Sequence, residues 1–528
     1  MSKAPALLGL LLHAHLPFVR HPEHEDFLEE RWLYEAVVEA YIPLLEVLDG
    51  LSRDGVPHRL SISVSPTLAH MLTDPLILRR LGRYLERLQA FLADEFERED
   101  HDPATRTLLR FYRDRTRRIR TEFIETHGGH LMSSLRRLSR TGAVELLATA
   151  ATHAFLPLLA PCPQAVRAQI RVGIAEHQRV FGEQPAGFWL PECGYDPVLD
   201  DALTSSGVEW VVLDAHGLLA GDPSAELGVR APVVTPGGLL VVGRDTSLCR
   251  LVWDAQSGYP GDPSYREFHR DAGFDFPAER IRPLLIPTGE PSPTGIKLHR
   301  VTGDGLAKEI YDPTAARATV SAHATHFLRA AEECTAPLRS AGGAPPLALA
   351  AFDAELFGHW WFEGPHWLDQ TLRKAAFDHP DIRMVTLREA IAAFPVVEEI
   401  MPSTSSWGEG GHATTWLSGE NDWVVPRVLS ASFRMVELVR SHPEARGLEL
   451  RALNQALREL LLAQASDWPF LMARQSAPDY AIAEVHTHLS RFAELASGLE
   501  SGTLAAARIS ALESWDNVFP TLDYRVYS

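Results

Sequence analysis

The chain has 528 residues, 45% of them apolar, and its 69 acidic and 50 basic side chains give a formal net charge of −19. A chain of this length exceeds what one hydrophobic core supports, so we expect a globular protein of two or three domains. The acidic balance argues against nucleic acid as a partner, because no basic surplus is present to neutralise phosphates.

The cysteines and the N-terminal segment indicate the cellular location of the protein. The four cysteines are far apart and form no CxxC pair, which favours reduced thiols over a zinc site or a disulfide framework. The apolar stretch ALLGLLL is only seven residues long and runs into His13 and His15. It predicts a strand, and neither a signal peptide nor a membrane span fits. We therefore expect a cytoplasmic protein with no membrane partner.

Short apolar runs recur along the first 395 residues, and most of them end in an acid or a histidine. Each run has the length of a buried strand. In chain order they are ALLGLLL before His13 and His15, RLSISV at 59–64, VELLATAATH ending at His153, GFWLPECGY around Glu192, EWVVLDAHG ending at Asp214 and His216, and LALAAFD ending at Asp353.

Helical patterns lie between most of these runs. The predicted helices cover about 30–51, 75–140, 163–181 and 313–339. Residues 232–251 form a β-rich segment with a Gly237–Gly238 turn, and the Gly- and Pro-rich stretch 253–300 predicts ordered loops. Strands that alternate with helices predict a parallel sheet that closes into a βα barrel.

Beyond residue 395 the pattern changes. A loop, SSWGEGGHATTWLSGENDW, is followed by three or four amphipathic helices between Val424 and about Trp515. We expect these helices to form a C-terminal domain.

The strand ends hold the residues that could carry chemistry. In a βα barrel the C-terminal strand ends lie at one face, so histidines and carboxylates distant in sequence would converge there. A single histidine at such a position is more often structural, and Asp214 has the position of a helix N-cap. Glu192 stands out because it follows Pro191, where no helix has begun. Two carboxylates suit glycoside chemistry, in which one acid is ionised and the other protonated.

Twelve tryptophans fit the same chemistry, since aromatic faces bind the apolar faces of pyranose rings. Several lie in predicted loops, at positions 253, 360, 361, 407, 416 and 423. For the glycine-rich cluster 407–423, contact with a sugar and packing in the core are equally good interpretations.

Four motifs carry a resemblance to a known family. HAHLP near the N-terminus, ATHAFLPLL from Ala151, GFWLPECGY around Glu192 and AFDAELFGHWW around Asp353 resemble, in this order, the signature regions of glycoside hydrolase family 57. GYPGDPSYREFHR, SWGEGGHATTW and ASDWPFL resemble more closely the 1,4-α-glucan branching enzymes within it. The resemblance extends over nearly the whole chain.

The resemblance implies a distorted (β/α)7 barrel over residues 1–395, a short insertion at about 196–250, and a helical domain over 396–528 that contributes to the substrate cleft. It implies a retaining mechanism without metal or cofactor, with Glu192 as nucleophile and Asp353 as general acid/base, about 5–5.5 Å apart. The implied substrate-binding residues are His13, His15, Trp32, His153, Trp253, Trp361, Trp407, Trp416, Asp467 and Trp468.

The implied activity is cleavage of α-1,4 bonds in a glucan and transfer of the chain to a 6-hydroxyl, which makes α-1,6 branches. The expected partners are a glucan donor and acceptor, bound by a monomer. The segment 231–249 is shorter than in the branching subgroup and contains no tyrosine that could cover the cleft. Greater access of water to the intermediate favours the alternative, an amylase-like α-1,4-glucan hydrolase.

Two hypotheses belong to other classes. A metal-dependent barrel enzyme, such as a deacetylase or mannosidase, would use His13, His15 and Asp353 as ligands. A non-catalytic glucan-binding protein would have no activity for Glu192→Gln to remove.

Overall fold

The sheet at the centre of the fold is curled and mostly parallel, as seen in a computed structural model that describes residues 4–254, 257–285, 291–303, 308–341 and 344–528. Its strands are β1 (Ala6–Ala14), β2 (Leu60–Val64), β3 (Val144–Thr149), β4 (Gly187–Trp189), β5 (Trp210–Leu213), β6 (Val233–Val234), β7 (Leu240–Gly243), β8 (Leu347–Asp353), β9 (Ile382–Val385) and β10 (Glu398–Glu399).

Within the described residues, seven strands run parallel in the spatial order β7-β5-β4-β3-β2-β1-β8. The two outer strands of this series, β7 and β8, approach each other and close the barrel. The Asp245 N–H just beyond β7 donates to the Leu349 carbonyl of β8 at 2.7 Å. The predicted distorted (β/α)7 barrel is therefore confirmed.

Strand β1 lies at the centre of the barrel wall, and all nine of its residues are buried. It pairs with β8 along one side, while β9 and β2 share the other side in succession. Leu7 and Leu11 point into the barrel, whereas Leu8, Leu10 and Leu12 pack against the surrounding helices. A strand covered on both faces reads as an unbroken apolar run, which explains why β1 could be predicted.

The helices around the barrel are α1 (Glu30–Ala36), α2 (Ile42–Arg53), α3 (Pro66–Met71), α4 (Pro75–Glu97), α5 (Pro103–Thr121), α6 (Leu131–Arg140), α7 (Leu156–Leu159), α8 (Pro163–Phe181), α9 (Asp200–Thr204), α10 (Ala215–Leu219), α11 (Thr246–Trp253), α12 (Ala272–Asp275), α13 (Ala278–Ile281), α14 (Pro313–Ala341), α15 (Gly364–Phe377) and α16 (Leu387–Ala392). Helices α4 and α5 each begin with a proline after a capping aspartate, Asp74 and Asp102. A π-helical turn, Val37–Tyr41, joins α1 to α2.

The stretch 196–250 is largely part of the barrel itself. It supplies the barrel strands β5 and β7, and its extra element, β6, pairs antiparallel with β7 across the turn that contains Gly238. Strand β10 extends this edge. The predicted insertion is thus a small β extension of the sheet, and a larger helical excursion, α4 to α6, lies between β2 and β3.

The C-terminal region is helical, with α17 (Val424–Ser441), α18 (Gly447–Ala463), α19 (Asp467–Arg474), α20 (Pro478–Ser501) and α21 (Ala506–Trp515). Three or four helices were predicted over the same span, and the additional one is the eight-residue α19. Helix α18 is central, with most of its residues buried. In the described part of the chain, no helix has both the length and the hydropathy needed to cross a bilayer.

Candidate active site

A cleft of about 810 Å³ opens at the C-terminal ends of the barrel strands. Its walls come from the barrel and from α19 of the C-terminal region. Ten of the twelve predicted site residues line it: His13, His15, Trp32, His153, Glu192, Trp253, Asp353, Trp407, Trp416 and Asp467. The structure therefore brings together side chains that are distant in sequence, such as His15 and Asp467, which are 452 positions apart.

Glu192 lies just beyond β4 in a short 3₁₀ turn, Pro191–Cys193. Its backbone is left-handed, with φ 62° and ψ 21°. A non-glycine residue in this region costs roughly 1–3 kcal/mol, and such strain is concentrated at functional sites. The turn directs the carboxylate into the cleft, where the Trp407 indole Nε1–H donates to Oε2 at 2.7 Å and the Ser466 hydroxyl donates to Oε1 at 3.2 Å.

The environment of Glu192 makes its carboxyl group weakly acidic. Burial raises the pKa of Glu192 to about 7, and the neighbouring Asp467 carboxylate adds to the rise. The hydrogen bonds from Trp407 and Ser466 act in the opposite direction, since they stabilise the ionised form.

Asp353 ends strand β8, directly opposite His13 of β1 in the parallel register. Burial raises the pKa of Asp353 well above its ordinary value, and the carboxylates of Glu355 and Glu192 raise it further. Arg244 opposes this rise. Asp353 therefore holds its proton to higher pH than an ordinary aspartate, and near neutral pH the site can contain one ionised and one protonated carboxyl group. Cleavage of a glycosidic bond with retention requires this combination.

A chain of hydrogen bonds connects the histidines to Glu192. Because the Ser466 hydroxyl donates to Glu192, it accepts from His153 Nδ1–H at 2.9 Å. His153 Nε2 is then free of hydrogen and accepts from His13 Nε2–H, also at 2.9 Å. This tautomer leaves His13 Nδ1 without hydrogen, as an acceptor, and in the described residues no donor reaches that buried atom.

The imidazoles of His13 and His153 in this series of hydrogen bonds are neutral, whereas the pKa of His15 is raised. Burial, and the proximity of His15, lower the pKa of His13 and of His153 well below the usual value. Burial also lowers the pKa of His15, but the Asp467 carboxylate, 3.0 Å from His15 Nε2, together with Glu355 and Glu192 outweighs burial, and the net pKa is raised.

Glu355 supports the loop after β8. Its Oε1 accepts the backbone N–H of His15 at 3.1 Å and the hydroxyl hydrogen of Tyr41, which lies on the π-helical turn. The loop approaches this turn so closely that a Cβ on Gly358, whose φ is +118°, would lie 1.8 Å from the Glu39 carbonyl oxygen. Glu355 is thus occupied by structural contacts with β1 and with the π-helical turn.

The tryptophans divide between the cleft and the core. Trp361 was predicted to bind substrate, but its side chain is 1% exposed and packs against Tyr265 and Trp367. Its neighbour Trp360 lines the cleft instead, 41% exposed and edge-on to Trp253. The side chains of successive residues in this turn point in different directions, so the sequence motif could not separate them.

Trp468, also predicted to contact substrate, is fully buried, and its indole Nε1–H donates to the Leu462 carbonyl at 2.8 Å. Trp416 borders the cleft with little exposed surface, since its indole stacks on Phe155 with 4.5 Å between ring centroids.

Some residues of the site escaped sequence reasoning. Ser466 donates to Glu192, and its only signal was its place beside Asp467 in the motif ASDWPFL. Arg244 lines the cleft directly after β7, a strand-end position that carries the same signal as Glu192. Asp214 caps α10 and contacts Arg244 at 3.3 Å, so the N-cap interpretation describes it well.

The geometry of a metal site is found among His15, His153 and Asp467, whose possible ligand atoms lie within 4.8 Å of one another. Both ring nitrogens of His153 already face protein partners, and His15 Nε2 faces Asp467. In the described part of the chain, the hypothetical metal ligands His13, His15 and Asp353 do not together form a group with such spacing.

Comparison with known proteins identifies relatives for both parts of the chain. Residues 9–402 match the family model described as glycosyl hydrolase family 57, and residues 428–527 match the one described as the C-terminal region of 1,4-alpha-glucan branching enzyme. The chain is 31% identical to the 1,4-alpha-glucan branching enzyme TK1436 of Thermococcus kodakarensis, over 97% of this chain and 77% of the relative.

Two solved structures superpose over nearly the full length. The alpha-amylase AmyC from Thermotoga maritima is 37% identical, with a TM-score of 0.92 over 99% of both chains. The GH57-type branching enzyme from Pyrococcus horikoshii is 32% identical, with a TM-score of 0.89 over 99% of this chain and 96% of that one.

Proposed function

The chain belongs to glycosyl hydrolase family 57, and we propose that it is a retaining 1,4-α-glucan branching enzyme. The observation that carries the proposal is the pair of carboxyl groups at the ends of β4 and β8. Both face one cleft, and their surroundings differ: hydrogen bonds from Trp407 and Ser466 favour the ionised form of Glu192, whereas burial and two neighbouring carboxylates raise the pKa of Asp353 and favour its protonated form. The match of residues 428–527 to the branching-enzyme C-terminal region supports the choice of activity within the family.

In the first step, Glu192 attacks the anomeric carbon of an α-1,4-linked glucose, and Asp353 gives its proton to the departing 4-oxygen. One C–O bond breaks, and an ester bond forms between the sugar and Glu192. The hydrogen bonds from Trp407 and Ser466 keep Glu192 ionised and fix its direction before attack. His13 and His153 are linked to each other beside the reacting carboxylate, and the Nδ1 atom of neutral His13, which has no partner among the described residues, can accept a hydrogen bond from a sugar hydroxyl.

In the second step, Asp353 acts as base. It takes the proton of a 6-hydroxyl on an acceptor glucan, and the resulting oxygen attacks the anomeric carbon and displaces Glu192. The product carries an α-1,6 linkage, and both carboxyl groups return to their starting protonation states. Two displacements retain the anomeric configuration.

Aromatic side chains line the cleft and can bind the sugar rings of a glucan. Trp32, Trp253 and Trp407 line the cleft, with Phe470 of α19 on the C-terminal wall. On this proposal the partners are a glucan donor and a glucan acceptor. We further propose that the enzyme is a monomer, that it acts in the cytoplasm, and that it uses no metal, cofactor or nucleic acid.

Incubation with amylose tests the activity. Proton NMR spectroscopy counts new α-1,6 linkages against reducing ends, and we expect the linkages to predominate. Glu192→Gln is the matched control and should abolish both signals. Excess of reducing ends would refute branching in favour of hydrolysis of the α-1,4 bonds.

The same assay distinguishes the remaining hypotheses. Activity that disappears on chelation and returns with a divalent cation would indicate the metal-dependent enzyme. Binding of amylose without either product would indicate a glucan-binding protein.

A further inference from the structure

We propose that Arg244 is a positioning residue that serves both carboxyl groups: it holds Trp407 against Glu192, and it places a positive charge in the cleft that Asp353 also lines. The inference rests on the proposed function, since it concerns the same cleft. It goes beyond that function by assigning separate tasks to the shape and to the charge of one side chain.

Arg244 is placed by the barrel itself. It follows β7 directly, and its backbone N–H donates to the Leu213 carbonyl of β5 at 2.9 Å, which continues the strand pairing by one residue. Its side chain borders the cleft and is only 9% exposed. A residue fixed at a strand end in this way has little freedom to turn away from the site.

The planar face of Arg244 contacts the residue that orients the nucleophile. Its guanidinium carbon lies 5.2 Å from the ring centroid of Trp407, within the range of a cation–π contact. Asp214 anchors the other side of the guanidinium at 3.3 Å. Trp407 in turn donates to Glu192 through its indole, and its backbone N–H donates to the Glu192 carbonyl at 3.0 Å. These contacts form one series from Asp214 to Glu192.

The charge of Arg244 acts on the other carboxyl group. Arg244 and Asp353 line the same cleft, at the ends of two strands, β7 and β8, that meet where the Asp245 N–H donates to the Leu349 carbonyl. The charges that act on Asp353 are those of Glu192, Glu355, Tyr41 and the Arg244 guanidinium. The acidic neighbours disfavour ionisation of Asp353, whereas the guanidinium favours it. Arg244 therefore helps Asp353 to give up its proton in the first step and to remain ionised as the base in the second.

In the part of the chain that the structure describes, the Arg244 guanidinium does not use all of its N–H donors in hydrogen bonds, as it would if its role were only to form a structural ion pair. Among the described residues its buried Nε has no hydrogen-bond partner. An unpaired buried donor costs about 1–3 kcal/mol. The contact with Trp407 and the position in the cleft that Asp353 also lines both require a buried cation at this end of β7, which accounts for an arginine here.

Two substitutions separate the tasks. Arg244→Lys keeps the charge and loses the planar face over Trp407, so kcat should fall by about 10- to 100-fold with KM nearly unchanged, because the nucleophile is misplaced. Arg244→Gln also removes the charge. It should in addition raise the titration midpoint of Asp353 by on the order of one pH unit. The basic limb of kcat/KM, which follows the loss of the Asp353 proton, should move to higher pH by the same amount.

The closing experiment measures the titration midpoint directly, by NMR spectroscopy of protein labelled with carbon-13 at the aspartate carboxyl groups. The Asp353 signal is the one that disappears in Asp353→Asn. The control is Arg474→Gln, which removes the charge of another arginine on the cleft, at the end of α19 in the C-terminal region, and it should leave the midpoint unchanged. Circular dichroism establishes that each variant is folded.

An upward shift in Arg244→Gln alone, with a reduced kcat in Arg244→Lys, supports the proposal. An unchanged midpoint in Arg244→Gln overturns it, and so does wild-type kcat in Arg244→Lys, which remains informative if the glutamine variant fails to fold. The titration needs no turnover. An unaltered chain without activity on amylose would therefore refute the proposed function alone.

Discussion

Replacing Trp407 by phenylalanine removes one hydrogen bond from Glu192 and keeps an aromatic ring in place. The indole Nε1–H donates to the buried carboxylate at 2.7 Å. A hydrogen bond to a charged group contributes about 1.5–3 kcal/mol. The same loss in the transition state lowers kcat/KM by roughly 10- to 100-fold, since about 1.4 kcal/mol corresponds to a factor of ten.

The pH dependence of the variant follows from the same hydrogen bond. The bond stabilises the ionised form of Glu192, so its loss raises the pKa of Glu192 further above its present value of about 7. Activity requires ionised Glu192 and is lost as pH falls through this pKa. The acidic limb of kcat/KM should therefore move to higher pH, by about 1–2 units for 1.5–3 kcal/mol.

Initial rates on amylose, measured across both limbs, test this reasoning against a matched control. Trp416 also borders the cleft, but in the described structure its indole Nε1 has no hydrogen-bond partner and its ring stacks on Phe155. Trp416→Phe keeps the stacking and should leave the acidic limb in place. An unmoved limb in Trp407→Phe, or an equal shift in both variants, would refute the assignment of Trp407 as the donor that sets the ionisation of Glu192.

Other substitutions and treatments test the remaining parts of the site and the core. Glu192→Gln should reduce turnover by roughly 10⁴-fold while retention of the protein in amylose gels persists; loss of gel retention as well would point to a structural role. Exhaustive chelation should leave activity intact, and an activity restored by added divalent cation would contradict a metal-free mechanism. Leu349→Ala, inside the barrel, should lower the free energy of unfolding by about 2–5 kcal/mol in a urea titration. The control Val396→Ala, at a side chain 84% exposed, should stay within about 0.5 kcal/mol, and equal effects would contradict the description of the core.

The barrel and its strand ends could be predicted because their signal is local. Parallel strands buried on both faces, such as β1 and β8, are continuous apolar runs, and the first polar residue after each run marks the end that carries chemistry. Asp353 was found in this way. Glu192 was found because a proline and a tryptophan precede it where no helix begins.

The partners of these residues could not be predicted from local pattern. Trp407 and Ser466 donate to Glu192 from 215 and 274 positions away, and neither follows an apolar run of the kind that predicts a barrel strand. Which of Trp360 and Trp361 lines the cleft depends on the direction in which each indole points from a tight turn. Trp361 points into the core, where it packs against Tyr265 and Trp367. The motif identified the pair of tryptophans and could not assign their roles.

Ser466 prevents the helical region from being exchanged like an accessory module. It lies in the C-terminal part of the chain, yet its hydroxyl reaches Glu192 and its backbone N–H donates to the His153 carbonyl at 3.1 Å. A fragment that ends at residue 402 would lose this donor, and with it the Asp467 partner of His15. Gene fusion or domain shuffling at this boundary would thus dismantle the reaction centre, and the two regions must be inherited together.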